Sequence, residues 1–188
     1  MGHTVRKACV TVIVICVCIL LILPITAKLE KQAYPLKYED IINEYTSQYG
    51  VDKAFVYALI RTESSFKSDA VSSVDARGLM QLTQSAFDWV KMKSGFDGEF
   101  DDMFDAQTNI KYGVYMLKLL LEEFENETNA LCAYHAGWGI TKEWLSDGEI
   151  TPDGKTVKNI PYSDTAWYVK KVLESRDIYN KLYFEKGE

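Results

Sequence analysis

The first pattern along the chain is an uncharged, apolar run from Ala8 to Ala27. At about 1.5 Å per helical residue, such a run spans about 30 Å, which is the thickness of the hydrocarbon core of a bilayer. Its length favours a retained membrane anchor over a cleaved signal peptide, although Ile25-Thr26-Ala27 would also serve as a cleavage site. The pattern therefore predicts a short tail at residues 1–7, a transmembrane segment at 8–27 and a polar linker at 28–37.

After the linker, apolar residues recur every three or four positions, which is the spacing of helices that bury one face. Gly50 is a natural end for the first of these helices, and Asp52 can cap the start of the second, which ends near Glu63. No pair of strands stands out, so we predict that residues 38–188 form one all-α domain. The predicted helices cover Tyr38–Tyr49, the segment that follows Asp52, Ala106–Phe124, Asn129–Ala136, Thr141–Leu145 and Ser163–Phe184.

The composition is that of a folded globular protein, with 47% apolar, 13% aromatic and 26% charged residues. Acidic residues outnumber basic ones by 27 to 21, so the chain carries a formal charge of −6, and nucleic acid is not expected as a partner. All but one of the cysteines lie in the apolar run, which leaves Cys132 without a partner in the domain. The sequence therefore predicts no disulfide framework, no cysteine-rich zinc site and no cofactor.

An acidic run between Asp97 and Asp105 raises the question of a bound cation. Gly98 is misplaced for a helix-loop-helix calcium site, in which a glycine must stand at a fixed position of the loop. We therefore interpret the run as a solvated acidic loop and predict no metal site.

One carboxylate stands out because of its surroundings. Glu63 ends an apolar helix and is followed by small polar residues, so its carboxyl group should be half-buried. Burial disfavours the charged form and raises the pKa, which suits a general acid that works near neutral pH. Two strings rich in small residues, Gly78–Gln81 (Gly-Leu-Met-Gln) and Ala133–Gly137 (Ala-Tyr-His-Ala-Gly), can project polar side chains into a cleft.

In their order and spacing, these segments resemble the lytic transglycosylases of the soluble type, whose catalytic domain is all-helical and lysozyme-like. The resemblance extends from about Tyr38 to Leu182. The motifs that carry it are a Glu-Ser pair after a helix, a serine nine residues beyond the glutamate, a Gly-Leu-Met-Gln turn, an Asn-Ile pair in a helix, an Ala-Tyr-Asn-Ala-Gly segment and a Pro-Tyr-x-Glu-Thr start of the last helix. Here the corresponding residues are Glu63-Ser64, Ser72, Gly78–Gln81, Asn109-Ile110, Ala133–Gly137 and Pro161–Thr165.

The resemblance implies roles for five of these residues. Glu63 would be the catalytic acid and base, and Tyr134 would orient it. Met80 and Gln81 would line the cleft around the acid. Ser72 would contact the reacting sugar or the hydrogen-bond network of the site.

Three positions depart from the family pattern, and the start of the last helix adds two aromatic residues. His135 replaces the usual Asn and changes the donors and acceptors beside the cleft. Asp164 replaces a glutamate that helps to hold the glycan or its peptide stem. Asp75 stands where glycine is common, and aspartate tolerates unusual backbone angles better than most residues. Tyr162 and Tyr168 flank Asp164, and we interpret both as exposed rings that contact sugar.

The resemblance implies cleavage of the β-1,4 bond between N-acetylmuramic acid and N-acetylglucosamine. Glu63 would protonate the linking oxygen and then take the proton of the muramyl C6 hydroxyl, which closes a 1,6-anhydro ring. A goose-type lysozyme-like hydrolase would need a second carboxylate, and Asp69 and Asp75 are the close candidates in sequence. A non-catalytic glycan-binding module of the cell wall is a further alternative.

The same resemblance implies peptidoglycan glycan strands as the partner and gives the orientation in the membrane. Residues 1–7 would be cytoplasmic, residues 8–27 would cross the cell membrane once, and the domain would lie outside the cytoplasm. Removal of the apolar run would instead make the domain a secreted protein.

Overall fold

A computed structural model of the chain describes Thr26 and residues 28–185. The chain divides into two units, one that ends at Pro35 and one that begins at Leu36. In the first unit, residues 28–33 are helical, and the backbone N–H of Tyr34 donates to the carbonyl oxygen of Glu30 at 2.9 Å. Much of the predicted linker is therefore helical, because residues 28–33 are mostly good helix formers and the helical segment ends before a proline.

The predicted membrane segment falls almost entirely on residues that the structure does not describe. The tail at 1–7 and all of the span at 8–27 except Thr26 lie outside the described part of the chain. Among the residues that the structure does describe, no helix combines the length and the apolar character that crossing a bilayer requires. The anchor stays a prediction from the sequence.

The second unit is built from α-helices. Within residues 36–185 there is no strand, and isolated bridges join Val71 to Arg77 and Arg77 to Leu82. The all-α prediction is therefore confirmed. A 3-10 helix at Phe100–Phe104 precedes α4, and a π-helical turn at Asn180–Phe184 continues α7. The α-helices are α1 (Glu39–Tyr49), α2 (Lys53–Ser64), α3 (Gln84–Ser94), α4 (Ala106–Phe124), α5 (Glu127–Ala136), α6 (Trp138–Ser146) and α7 (Ser163–Tyr179).

Two of the predicted helices begin at least two residues earlier than predicted. α5 begins at Glu127 rather than Asn129, because the side chain of Asn126 caps it by accepting the backbone N–H of Asn129 at 2.9 Å. α6 begins at Trp138 rather than Thr141. Both helices are therefore longer at their N-terminal ends than their apolar pattern indicates.

Helix α3 is absent from the sequence prediction. It buries only Phe87 and Val90, so its apolar stripe is too sparse to give a clear period. The residues at its two ends are the ones that could have predicted it. Thr83 is the N-cap and accepts the N–H of Ala86 at 3.2 Å, and Gly95 ends the helix in the left-handed conformation.

Helices α2 and α4 form the centre of the domain. Every residue from Ala54 to Ile60 in α2 is buried, and α4 buries Ile110, Val114 and Leu117. α2 packs against α7, and α4 contacts α1, α3, α5 and the 3-10 helix. Glu63 is thus carried at the end of a helix that is buried on all sides.

Candidate active site

Glu63 lies in the last turn of α2, with its carboxyl group half-buried. The hydroxyl of Tyr168 donates to Glu63 Oε1 at 2.6 Å. Burial raises the pKa of Glu63 from an ordinary value of 4.5 to about 7, and the hydrogen bond from Tyr168 opposes this rise only in part. Glu63 can therefore hold a proton near neutral pH and can also release it.

The exposed position predicted for Tyr168 is wrong. The side chain is only 4% exposed and lies on the buried face of α7, together with Thr165, Val169 and Val172. The spacing of these residues by three and four positions is the signal that could have placed Tyr168 on that face. Burial, followed by the negative charge of Glu63, raises the pKa of Tyr168 well above its ordinary value, so the hydroxyl stays protonated and donates.

Tyr134 contacts the turn next to Glu63 rather than the carboxylate itself. Its hydroxyl donates to the backbone carbonyl oxygen of Met80 at 2.7 Å. Burial and then the charge of Glu63 raise the pKa of Tyr134, so this ring also lies near the acid. The hydroxyl that binds Glu63 in this structure is that of Tyr168, and the orienting role that the resemblance implied for Tyr134 remains a prediction.

The Gly-Leu-Met-Gln turn is held by Asn109, a residue to which the sequence analysis gave no role. Asn109 is fully buried in α4, and its side-chain oxygen accepts the backbone N–H of Met80 at 2.8 Å. Its amide nitrogen donates to the carbonyl oxygens of Arg77 and Met103 at 2.9 and 2.8 Å. Gly78 has a φ of 74°, and a Cβ there would overlap both Asn109 and the Met103 carbonyl.

Two residues that were predicted to line the cleft take part in this turn. The side chain of Met80 is fully buried against Gly113, so the predicted position of Met80 on the cleft wall is wrong. Gln81 has a left-handed φ of 49°, and its amide nitrogen donates to the carbonyl oxygens of Ala70 and Gly78 at 3.1 and 2.9 Å. Gln81 stays partly exposed, and its contact with sugar remains a prediction.

Ser72 and Asp75 stabilise the loop that leads into the turn. The hydroxyl oxygen of Ser72 accepts the backbone N–H groups of Ala76 and Val74 at 3.0 and 3.3 Å. Asp75 has a φ of 58°, as expected for an aspartate in place of glycine, and its carboxylate pairs with Arg77 at 3.0 Å. The role of Ser72 toward sugar remains a prediction.

His135 lies at the end of α5 and keeps part of its surface exposed. Its Nδ1 is 3.0 Å from Thr165 Oγ1, and its ring lies 4.5 Å from the ring of Tyr168. Partial burial lowers the pKa of His135, and the charge of Asp164 opposes this. The neutral imidazole is therefore the favoured form of His135 at neutral pH.

The start of α7 carries the two remaining predicted residues. Asp164 is exposed, and its carboxylate accepts the backbone N–H of Thr165 at 2.8 Å. Tyr162 is half-exposed and packs edge-on against Trp144. Tyr162 thus has the exposed position that the sequence analysis predicted for both tyrosines.

A family model supplies the observation that decides the classification. The transglycosylase SLT domain matches residues 40–155 of the chain. The chain belongs to this family. Over 158 residues, the SLT chain is 33% identical to the soluble lytic murein transglycosylase of Escherichia coli strain K12, and the match covers 81% of the chain and 24% of that relative.

A second relative of the SLT chain carries a different name. It is 35% identical over 133 residues to the membrane-bound lytic murein transglycosylase C of Salmonella arizonae, a match that covers 65% of the chain and 36% of the relative. The SLT chain therefore spans about a quarter to a third of the length of these two relatives.

Solved structures share the fold of the SLT chain. The crystal structure of the 70 kDa soluble lytic transglycosylase from Escherichia coli matches with a TM-score of 0.76 and 28% identity, over 84% of this chain and 26% of that one. An inactive mutant of the lytic transglycosylase Slt from Pseudomonas aeruginosa matches with a TM-score of 0.71 and 29% identity, over 79% of this chain and 24% of that one. The lysozyme-like, all-helical prediction is therefore confirmed.

The sequence offered two candidates for a second carboxylate in the SLT domain. Asp75 pairs with Arg77, and Asp69 is exposed on the same loop. Among the described residues, no group of three or more His, Cys, Asp or Glu side chains is arranged to hold a metal ion. The site can therefore offer one carboxyl group of raised pKa, together with a tyrosine that donates to it.

Proposed function

We propose that this SLT chain is a peptidoglycan lytic transglycosylase that cleaves the β-1,4 bond between N-acetylmuramic acid and N-acetylglucosamine. The observation that carries the proposal is the half-buried carboxyl group of Glu63, with a pKa of about 7 and the hydroxyl of Tyr168 at 2.6 Å. The relatives support it, because both are named lytic murein transglycosylases.

Glu63 acts first as the acid. At a pKa of about 7, roughly half of the carboxyl groups hold a proton at neutral pH. Because Oε1 accepts the hydroxyl of Tyr168, the proton to be transferred belongs on Oε2. Its transfer to the linking oxygen breaks the bond between that oxygen and C1 of the muramyl residue, and N-acetylglucosamine leaves as the alcohol.

Glu63 acts next as the base. The positive charge that develops on the muramyl ring is stabilised in part by the acetamido group of the sugar itself. The carboxylate takes the proton of the muramyl C6 hydroxyl, and the oxygen of that hydroxyl forms the new bond to C1. The product ends in a 1,6-anhydro sugar, no water is consumed, and Glu63 returns to its protonated form.

The glycan contacts proposed for this site come from three segments, namely the loop after α2, the end of α5 and the start of α7. All of these residues keep part of their surface exposed, which supports a contact role. The proposed contacts are Ser72 and Gln81 from the loop after α2, and His135, Tyr162 and Asp164 near the start of α7.

We further propose that residues 8–27 anchor the protein in the cell membrane, with residues 1–7 in the cytoplasm and the domain of residues 38–188 toward the cell wall. The uncharged run of the sequence supports this, and one relative is named membrane-bound. Residues 28–37 connect the anchor to the domain.

The alternatives have less support. A hydrolase would need a second carboxylate about 5 to 9.5 Å from the first, and Asp75 is engaged by Arg77. A glycan-binding module without turnover has no use for a carboxyl group whose pKa is raised by burial.

Mass spectrometry of the sugars released from purified peptidoglycan tests the proposal. The full chain in detergent should release fragments that end in anhydro-muramic acid, each lighter by one water than the hydrolysis product. Glu63→Gln should release none and keep its fold, because the swap is nearly isosteric. Reducing ends in place of anhydro ends would establish the hydrolase, and full activity of the variant would refute the assignment of Glu63.

A further inference from the structure

Arg77 lies in the loop between α2 and α3, and only 18% of its side chain is exposed. Its Nε and Nη2 donate to the two carboxylate oxygens of Asp75, each at 3.0 Å, and its Nη1 donates to Asp101 Oδ1 at 2.6 Å. The Cζ atom of the same guanidinium group lies 4.1 Å from the ring centre of Phe100 and 5.3 Å from that of Phe104. One side chain thus joins the loop to the 3-10 helix that precedes α4.

This set of contacts requires an arginine. A planar guanidinium group can bind one carboxylate through two parallel hydrogen bonds, reach a second carboxylate and stack on aromatic rings, whereas a lysine offers a single point of charge. The contacts also use two features of the sequence that the proposed function leaves without a role. They are Asp75, which stands where the family commonly has glycine, and Asp101, which belongs to the acidic run between Asp97 and Asp105. Both acids therefore serve as partners of Arg77.

The backbone around Arg77 connects these contacts to the catalytic acid. Arg77 and Leu82 exchange backbone hydrogen bonds of 2.9 and 3.1 Å, so Arg77 closes the base of the Gly-Leu-Met-Gln turn. Within that turn, the carbonyl oxygen of Leu79 accepts the hydroxyl of the buried Ser64 at 2.8 Å. Ser64 follows Glu63 directly at the end of α2. A displacement of Arg77 is therefore transmitted through the turn to the residue next to the acid.

We infer that Arg77, held by Asp75 and Asp101, is a positioning residue that fixes the turn beside the catalytic acid. It acts through the backbone of the turn, and the inference rests on the proposed function because it concerns turnover at Glu63. Asn109 holds the same turn from within the core, whereas Arg77 holds it from the surface, where the side chain of Asp101 is 90% exposed. The hold by Arg77 can therefore be removed without opening the core.

The test compares Arg77→Met with Arg176→Met in the full chain in detergent, because methionine keeps an apolar stem and removes the guanidinium group. Arg176 is a matched control: its side chain is 23% exposed and pairs with two carboxylates, those of Glu127 and Asp177, in the last turn of α7. Both variants should lose stability to a similar extent. Only Arg77→Met should lower kcat for the release of sugars from soluble glycan strands, about tenfold and with a smaller change in KM, because the turn beside Glu63 shifts.

Asp101→Asn gives a second variant that leaves the fold intact, because the side chain is so exposed. It should lower kcat about threefold in the wild type and have no further effect in Arg77→Met, because the two residues act as one unit. Arg77→Lys keeps the charge and loses the planar fork, so it should restore only part of the rate.

Amide hydrogen exchange, followed by mass spectrometry, checks the route from Arg77 to the acid. The backbone N–H groups of Ser72, Arg77, Gly78 and Leu82 are hydrogen-bonded within the loop. Peptides that cover residues 65–82 should therefore exchange faster in Arg77→Met than in the wild type, and Arg176→Met should leave their exchange unchanged.

Three outcomes would overturn the inference. An unchanged kcat in Arg77→Met would reduce Arg77 to a structural role, and an equal fall of kcat in Arg176→Met would attribute the loss to stability alone. Additive effects of Asp101→Asn and Arg77→Met would show that the two residues do not act together.

The chemistry of the released sugars separates this inference from the proposed function. Reducing ends whose rate of release falls in Arg77→Met would refute the proposed transglycosylase and keep the positioning role, since that role does not depend on what attacks C1. Anhydro ends with an unchanged kcat in Arg77→Met would refute the positioning role and keep the proposed function.

Discussion

Two segments meet at Glu63, and they are held by different kinds of interaction. α2 carries the acid on a helix whose residues are buried from Ala54 to Ile60. Residues 65–82, which follow it, have four non-glycine residues with positive φ, namely Ser65, Phe66, Asp75 and Gln81. This loop is held by hydrogen bonds from side chains to backbone, above all those of Asn109.

These two kinds of interaction respond differently to substitution. Apolar packing is not directional, so a buried helix tolerates modest changes of shape at a moderate cost. A hydrogen bond to a buried backbone group is directional, and its loss leaves a polar atom unpaired. Substitutions in the loop and its supports should therefore disturb the site more than their size suggests.

The largest effect is expected from Asn109→Ala. It removes the side-chain partner of the Met80 N–H and of the Met103 carbonyl oxygen, and it leaves the Arg77 carbonyl oxygen with only the N–H of Leu82, at a cost of about 3 kcal/mol in the free energy of unfolding. Urea denaturation measures this, and activity per folded molecule should also fall because the turn beside Glu63 loosens.

Asn129→Ala is the matched control for Asn109→Ala. Asn129 is equally buried and binds the backbone of Lys155 and Val157, on a loop outside the Glu63 site. Its loss should lower stability in the same way and leave the activity of the folded protein intact. Equal loss of activity in both variants would contradict the assigned role of Asn109.

Glu63→Gln should have a smaller effect on the free energy of unfolding, and this effect should depend on pH. Because the folded state raises the pKa of Glu63 from 4.5 to about 7, it binds the proton more tightly than the unfolded state does. The protonated carboxyl group therefore adds about 2 to 3 kcal/mol to the free energy of unfolding below about pH 4.5, relative to the ionised group. This contribution is lost as the pH rises to 7. Glu63→Gln should therefore be more stable than the wild type at pH 8 and similar to it at pH 4.5. A difference that does not change with pH would contradict the raised pKa.

Tyr168→Phe tests the hydrogen bond that joins α7 to the acid on α2. The hydrogen bond from Tyr168 lowers the pKa of Glu63, so its removal should raise that pKa further. Activity needs a protonated Glu63, and the decline of kcat/KM at high pH should therefore move to higher pH. The rate should fall about tenfold, because a hydrogen bond to a charged group is lost.

Tyr134→Phe serves as the comparison for Tyr168→Phe. Its hydroxyl is bound to the carbonyl oxygen of Met80, so this variant should lower the rate without moving the pH profile in the same way. An identical shift in both variants would show that the hydroxyl of Tyr168 has no special relation to Glu63.

The smallest effect is expected from Ser65→Gly. Ser65 is exposed and ends α2 with a φ of 53°, a conformation that glycine adopts without steric cost. The variant should gain about 0.5 to 1 kcal/mol in the free energy of unfolding, measured by urea denaturation, whereas Ser65→Ala should gain nothing. A loss in Ser65→Gly would mean that the hydroxyl matters more than the backbone.

Much of the domain was predictable because its signals are local. Gly50, the cap at Asp52 and the period of α4 depend on residues that are close together in the sequence, and the structure has helices at those places. Helix α3 was not predicted because it buries only two side chains and has no full apolar stripe. It is stabilised instead by its caps and by its packing on α4.

Within the site, local sequence was enough to predict that Glu63 is a half-buried acid, because an apolar helix that ends in a carboxylate followed by small residues leaves it there. Which hydroxyl binds that acid, and which predicted contacts are buried, depends on how the helices pack. Tyr168 lies 105 residues away from Glu63 and reaches it through the packing of α7 on α2, and Met80 turns inward against Gly113 of α4. Such contacts depend on which helix faces meet, and that depends on the burial of the whole core rather than on any local pattern.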